Sequence, residues 1–294
     1  MDPKLAELVR LHSLEQLEDN IFRGESRDIG SPQVYGGQVL GQALRAAYNT
    51  VDAARAAHSL HAYFLRRGDF NAPIVYFVDR SRDGQSFSSR RVTAIQHGEQ
   101  IFNMAASFQL PEDGLEHQSA MPEVLPPDRL PDAEAMSPEA LALLPKRMRQ
   151  SDNWRRPFEF RLVPPDGTSP PGASPARRQL WLRAVDRLPD DDALHRCLLA
   201  YVSDFPLLST ATLPHAAACR SGQLLRASID HAMWFHRPCR IDDWLLYATD
   251  SPSASGARGF ARGSLYDATG RLVASTAQEG LMRVVVEPET KPAR

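Results

Sequence analysis

The residue whose setting says most about chemistry is Asp204. Ala193, Leu194, Cys197, Leu198, Tyr201, Val202 and Phe205 recur at helical spacing and form one apolar stripe. Asp204 falls at its end. A carboxylate there is partly desolvated and needs hydrogen-bond partners. Held ionised but poorly hydrated, it is a base towards water. The plainer alternative is a polar residue closing a helix. Competing centres are few. His58, His61, His231 and His236 lie in strand-like runs and read as structural histidines. No His-Glu-x-x-His or Cys-x-x-Cys spacing supports zinc. No Gly-x-Ser-x-Gly marks an α/β-hydrolase nucleophile. Gly36-Gly37 with Gly41 lacks the strand and ribose-binding acid of a dinucleotide site. No metal or cofactor is expected.

Two sets of elements must position Asp204 and its partners. In the first half, Val39, Leu40, Ala43, Leu44, Ala47, Tyr48 and Val51 recur at helical spacing, directly after Gly36 and Gly37. Strand-like runs follow at 58–65, 74–78, 87–95 and 101–108, with turn signals at Asp83-Gly84 and His97-Gly98. The second half has strand-like runs at 158–163 and 179–185. Its helix starts at Pro189-Asp-Asp-Asp, an acidic first turn that complements the helix dipole. Further runs lie at 226–235, 244–248, 259–266 and 273–286. Between the halves, prolines from Pro111 to Pro145 resist helix interior and central strand, so this stretch reads as a linker with one short helix near 138–144. The segment 164–171 reads as a surface loop.

Both halves run helix, then several antiparallel strands. His61-Ala-Tyr-Phe-Leu-Arg-Arg resembles His231-Ala-Met-Trp-Phe-His-Arg, and Ala106-Ser-Phe-Gln109 resembles Ser275-Thr-Ala-Gln278, at nearly one sequence separation. An internal duplication explains both. Each unit is a long helix on a curved antiparallel sheet whose one apolar face the helix covers. By this matching, Gln109 is the counterpart of Gln278, and only the second unit has a carboxylate on its helix.

Charge excludes one class of partner. With 34 Lys and Arg against 36 Asp and Glu, the net charge of −2 lacks the basic excess that nucleic-acid phosphates demand. Arg90, Arg91, Arg258 and Arg262 read as solvated faces, with one or two of them open to a phosphate-bearing substrate. No stretch approaches the ~18 apolar residues of a membrane span. Three cysteines are too few, and odd, for a disulfide framework, so a reducing compartment fits. Met1-Asp-Pro-Lys is not a signal peptide start, and cytoplasm is the expected location.

Long strings across the chain carry a resemblance. They include Val34-Tyr-Gly-Gly-Gln-Val-Leu-Gly-Gln-Ala43, His58-Ser-Leu-His-Ala-Tyr-Phe-Leu-Arg66, Asp230-His-Ala-Met-Trp-Phe-His-Arg-Pro238 and Ala274-Ser-Thr-Ala-Gln-Glu-Gly280. Together they resemble acyl-CoA thioesterase II, the TesB-like family, and its peroxisomal relatives. The resemblance implies an α+β double hotdog fold. It also implies hydrolysis of medium- to long-chain fatty acyl-CoA, and a homo-oligomer, dimer or tetramer. The family's Asp, Thr or Ser, and Gln fall by position on Asp204, Ser228 and Gln278. Ser228 stands where Thr is common, and either supplies one hydroxyl. The trio would fix and activate a water, while Gly36 and Gly37 at a helix N-terminus would offer N–H groups to the oxyanion. The expected organisation is a first repeat at 1–112, a linker at 113–150 and a second repeat at 151–290 carrying the site. A hotdog enoyl-CoA hydratase and a non-catalytic acyl-CoA-binding protein are the rival readings.

Overall fold

The computed structural model describes residues 1–131, 157–164, 175–220 and 224–285. The short helix expected near 138–144, and 165–171 of the surface loop, lie outside them. Elements in chain order are α1 (Pro3–Leu11), β1 (Glu15–Glu18), β2 (Ile21–Gly24), α2 (Gly36–Tyr48), β3 (Ala56–Phe64), β4 (Ile74–Asp83), β5 (Phe87–Gln96) and β6 (Glu99–Gln109). The second half supplies β7 (Phe158–Leu162), β8 (Arg177–Ala184), α3 (Asp192–Ala211), α4 (Ala216–Arg220), β9 (Leu224–Ser228), β10 (Asp230–Phe235), β11 (Leu245–Ser255), β12 (Arg258–Asp267) and β13 (Leu272–Val284).

All strands join one antiparallel sheet in the order β1-β2-β4-β5-β6-β3-β10-β13-β12-β11-β8-β7, with β9 paired to β13. The central pair β3–β10 joins the halves. Read outward from it, each half repeats the same strand succession. The two helices lie together inside the curve of the sheet, which is the double hotdog arrangement. Helix α2 is buried on nearly every side because it meets both sheet and helix. Its start has no side-chain cap, so tertiary packing rather than local capping holds it. Helix α3 is capped by Asp191, whose carboxylate accepts from the Leu194 N–H at 3.1 Å.

The helices touch through glycines. A Cβ on Gly37 would lie 2.1 Å from the Tyr201 carbonyl oxygen, and one on Gly41 would lie 2.9 Å from that of Cys197. Sequence rises on α2 as it falls on α3, so the two run antiparallel. Their apolar faces merge with the inner sheet face into one core that spans both halves.

Three expectations need correction. First, α3 does not end near Asp204. It continues through Pro206 to Ala211, so Asp204 is a mid-helix residue. Proline removes the donor for the Val202 carbonyl, but packing on β11, β12 and β13 carries the helix past it. Second, the motif matching between repeats does not survive the strand register. His61 is exposed on the outer face whereas His231 is buried on the inner face. Strand side chains alternate, so residues on opposite faces are not counterparts. The same parity separates half-buried Gln109, which bonds Glu112, from buried Gln278. Gln109 therefore is not the structural counterpart of Gln278. Third, the run 226–235 is two strands. Ser228 pairs with Gly280 on β13 while Ala232 pairs with Ala277, a shift of one residue across Ile229 and Asp230.

The proline-rich stretch is tethered where it is described. Leu130 packs with Trp181, Leu246 and Tyr266 on the second half of the sheet, and the Trp181 Nε1–H donates to the Leu125 carbonyl at 2.9 Å. No described helix is long and apolar enough to cross a membrane.

Candidate active site

Asp204 is 9% exposed, on the α3 face turned to the start of α2 and to β13. Its Oδ1 accepts from Gln278 Nε2 at 2.5 Å, and the Gly37 amide lies near enough to the carboxylate to favour its charged form. A Cβ on Gly36 would lie 2.8 Å from Asp204 Oδ2. The glycine pair thus brings the positive end of α2 against a buried anion. Burial pushes the Asp204 carboxyl above its ordinary range, and the Gln278 bond and the nearby Gly37 amide pull part of the way back. The result is an ionisable base with little water around it.

Gln278 is 1% exposed. Its Nε2 also reaches His231 Nδ1 at 3.2 Å, and its Oε1 has no partner among the described residues. His231 Nε2 lies 3.0 Å from Ser203 Oγ, which donates to the Ala200 carbonyl at 2.9 Å. Burial lowers the His231 imidazole to about 3, so the ring is neutral at ordinary pH.

Ser228 stands opposite Gly280, two residues along β13 from Gln278. A Cβ on Gly280 would meet Leu208 of α3, so this pair faces the helix, as Gln278 does. Regular alternation would put Ser228 and His231 on opposite faces. The shift at Ile229 and Asp230 returns both to the helix side, and Asp230 Oδ1 holds it by accepting the Glu279 N–H at 2.6 Å. The Ser228 hydroxyl makes no hydrogen bond to any described residue.

The structure bonds Asp204 to Gln278 and turns Ser228 towards the same helix, opposite Gly280, two residues along β13. Gly36 and Gly37, expected as oxyanion donors, stand at the start of α2 beside the same carboxylate. Sequence reasoning missed Ser203, the residue just before Asp204, and placed His231 among structural histidines. The remaining histidines do stay outside the site. His58 and His236 bond Ser107 and Ser275, each at 2.8 Å, and His61 packs edge-on against Trp234. Arg90 is not on a solvated face. It is 1% exposed and bonds Thr50 and Asp83. Arg258 and Arg262 are paired with Glu279 and Asp250.

A small aromatic cavity, with room for about one water, is lined by neighbours of Asp204. Phe205 and Tyr201 flank Asp204 on α3, and Tyr35, Phe158, Phe160 and Ile29 complete the wall. The Tyr35 hydroxyl is tied to the Tyr201 carbonyl at 2.9 Å. Among the described residues, no group of three or more His, Cys, Asp or Glu side chains could hold a metal ion.

Comparison with known proteins matches this geometry to a family. Residues 150–281 fit the family model described as acyl-CoA thioesterase, and 23–109 fit that of the acyl-CoA thioesterase N-terminal domain. The chain is 42% identical to acyl-CoA thioesterase 2 of Haemophilus influenzae, over 96% of this chain and 99% of that protein. Among solved structures it is similar to the acyl-CoA thioesterase II TesB2 of Mycobacterium marinum. Identity there is 44%, coverage 97% of this chain and 100% of that one, and TM-score 0.80. A protein of unknown function with a hot dog fold from Alicyclobacillus acidocaldarius shares the architecture at 20% identity, with TM-score 0.76 over 95% of this chain and 99% of that one. The chain belongs to the acyl-CoA thioesterase II (TesB-like) family and is an acyl-CoA thioester hydrolase.

Proposed function

We propose that this enzyme hydrolyses medium- to long-chain fatty acyl-CoA, with broad tolerance of chain length, by attack of a water that Asp204 activates. The observation that carries the reading is the buried carboxylate gripped by Gln278 at 2.5 Å. A desolvated carboxylate accepts a proton more readily than one in water. Ser228 and Gln278 orient the water: Gln278 Oε1 is buried without a described partner, and the Ser228 hydroxyl bonds no described residue. Most of their contribution is geometric.

The water oxygen attacks the thioester carbonyl carbon while its proton passes to Asp204. The tetrahedral intermediate then breaks its carbon–sulfur bond. The proton on Asp204 goes to the departing thiolate, which gives free CoA and a fatty acid. Charge moves from Asp204 to the oxyanion and back within reach of the same end of α2, whose dipole serves both. The acyl chain is assigned to the aromatic wall beside Asp204, whose rings must part to admit it because the closed cavity has room for about one water; each methylene then buried among apolar walls gains about 0.8 kcal/mol.

Thiol release measured over short to long acyl-CoAs, for wild type and Asp204→Asn, tests the reading. Full activity in Asp204→Asn would remove Asp204 from the chemistry. Single turnover in oxygen-18 water tests the route, since label in the Asp204 side chain would mean an anhydride instead of direct attack by water. The exposed rings of Tyr63, Trp234 and Phe77 on the outer face of the sheet support association of copies, which light scattering measures directly.

A further inference from the structure

We propose that His231 and Ser203 are positioning residues that dictate which way round the Gln278 amide sits, by relaying to it the hydrogen-bond polarity of the Ala200 carbonyl. The inference rests on the reading that Asp204 and Gln278 act on the water.

The argument is one of donors and acceptors. A carbonyl only accepts, so the 2.9 Å contact with Ala200 uses the single hydroxyl hydrogen of Ser203. Ser203 Oγ then faces His231 Nε2, 3.0 Å away, with lone pairs alone. The ring must carry its hydrogen on Nε2. That leaves Nδ1 bare, and a bare Nδ1 accepts the Gln278 Nε2–H at 3.2 Å. The second hydrogen of the amide goes to Asp204 Oδ1. Gln278 Oε1 is thereby turned away from both and is buried without a described partner. A carbonyl-type oxygen in that state calls for a donor. The water that Asp204 deprotonates has a hydrogen to give it.

The relay also guards the base. With a hydrogen on Nδ1 the ring would repel the amide N–H, and Gln278 would present Oε1 to Asp204. Two acceptors in contact would keep a proton on the carboxylate. Apart from His231, the ionisable groups facing Asp204 are the phenols of Tyr35, Tyr201 and Tyr247, which burial keeps neutral. Two of these hydroxyls are already committed, Tyr35 to the Tyr201 carbonyl and Tyr247 to the Ser203 carbonyl at 3.0 Å. His231 and Ser203 are therefore the groups that choose the amide orientation.

Nitrogen-15 spectra of wild-type protein labelled at histidine give the direct test. The expected signal for His231 is a protonated Nε2 and a bare Nδ1, and the opposite tautomer would overturn the proposal. Kinetics give the second. His231→Leu removes the acceptor and should lower kcat by roughly 10- to 100-fold, the cost of a misplaced reacting group, with KM nearly unchanged. The acidic limb of its pH profile should move to higher pH. His231→Asn keeps an oxygen acceptor near Nδ1 and should restore most of kcat and return the limb. Ser203→Ala, which frees the tautomer without adding bulk, should shift the limb the same way. This variant also covers the case in which His231→Leu fails to fold. If folded His231→Leu or Ser203→Ala keeps wild-type kcat and limb while Asp204→Asn is inactive, the relay has no such role. If Asp204→Asn is itself active, the reading beneath the proposal fails instead.

Discussion

Gln278 Nε2 and Asp204 Oδ1 meet at 2.5 Å although 74 residues separate them along the chain. One sits on β13 and the other on α3, so only the helix-on-sheet packing brings them together. Removing either end should disable the site in different ways. Asp204→Asn keeps an oxygen for the Gln278 amide but cannot take a proton. Its kcat should fall by about 10²–10⁴-fold, the usual worth of a general base. Gln278→Ala loses the grip and the orienting oxygen, and should lose roughly 10²-fold in kcat, again with thiol release as the measurement.

The pH dependence has opposite signs for activity and stability. Burial raises the Asp204 carboxyl above its unfolded value. Its favourable contribution to folding is therefore complete below the unfolded pKa and is lost as pH rises through the folded one. Activity needs the ionised form and should rise over that same interval. At pH 7 the buried charge is a cost, so Asp204→Asn should melt no lower than wild type and by preference higher. The difference should shrink as pH falls through the raised pKa of Asp204, where wild type also takes up the proton. A marked loss of melting temperature at pH 7 would contradict this.

His231 titrates with the other sign. Its folded value of about 3 lies below the unfolded value of 6.5, so its stability contribution is present above pH 6.5. It is lost as pH falls towards 3, where the unfolded chain binds a proton that the folded chain refuses. His12, lowered to about 4, adds in the same direction. Acid unfolding of wild type should therefore steepen below pH 6.5. His231→Asn should flatten that part of the curve, measured by denaturant titration at several pH values.

Gly37 tests the close approach of the helices. A methyl at this position would sit 2.1 Å from the Tyr201 carbonyl oxygen, which is backbone and cannot swing aside. Gly37→Ala should cost about 1–3 kcal/mol of stability, as overpacking usually does. It should also push the start of α2 away from Asp204 and lower kcat. Unchanged melting and turnover would mean that α2 does not clamp the carboxylate.

The pocket should set chain-length preference. Enlarging it with Phe160→Ala should favour long acyl-CoA over short ones, because each methylene newly admitted gains up to about 0.8 kcal/mol, roughly fourfold in kcat/KM. A parallel change at every chain length would place the acyl chain elsewhere.

Much of this protein is written locally. The apolar stripe of α3, the glycines before α2 and the alternating strands all follow from short-range periodicity, and they were legible as a repeated helix-and-sheet unit. The trio Asp204, Ser228 and Gln278 was legible only through resemblance, because each residue alone is unremarkable for its element. Three matters were decided by tertiary structure. Helix α3 passes through Pro206 because packing on the sheet outweighs the missing N–H, so Asp204 is interior to the helix rather than at its end. The one-residue shift after Ser228 returns Ser228 and His231 to one face, and no periodicity announces it, since a strand of period two looks the same until a partner fixes its register. The contacts of Asp204 with Gly37 and Gln278 join residues far apart in the chain, and the sequence sets the chemistry of these groups without setting their distances. Burial then raises the carboxyl of Asp204, because the sequence supplies the acid and only the surrounding fold removes its water.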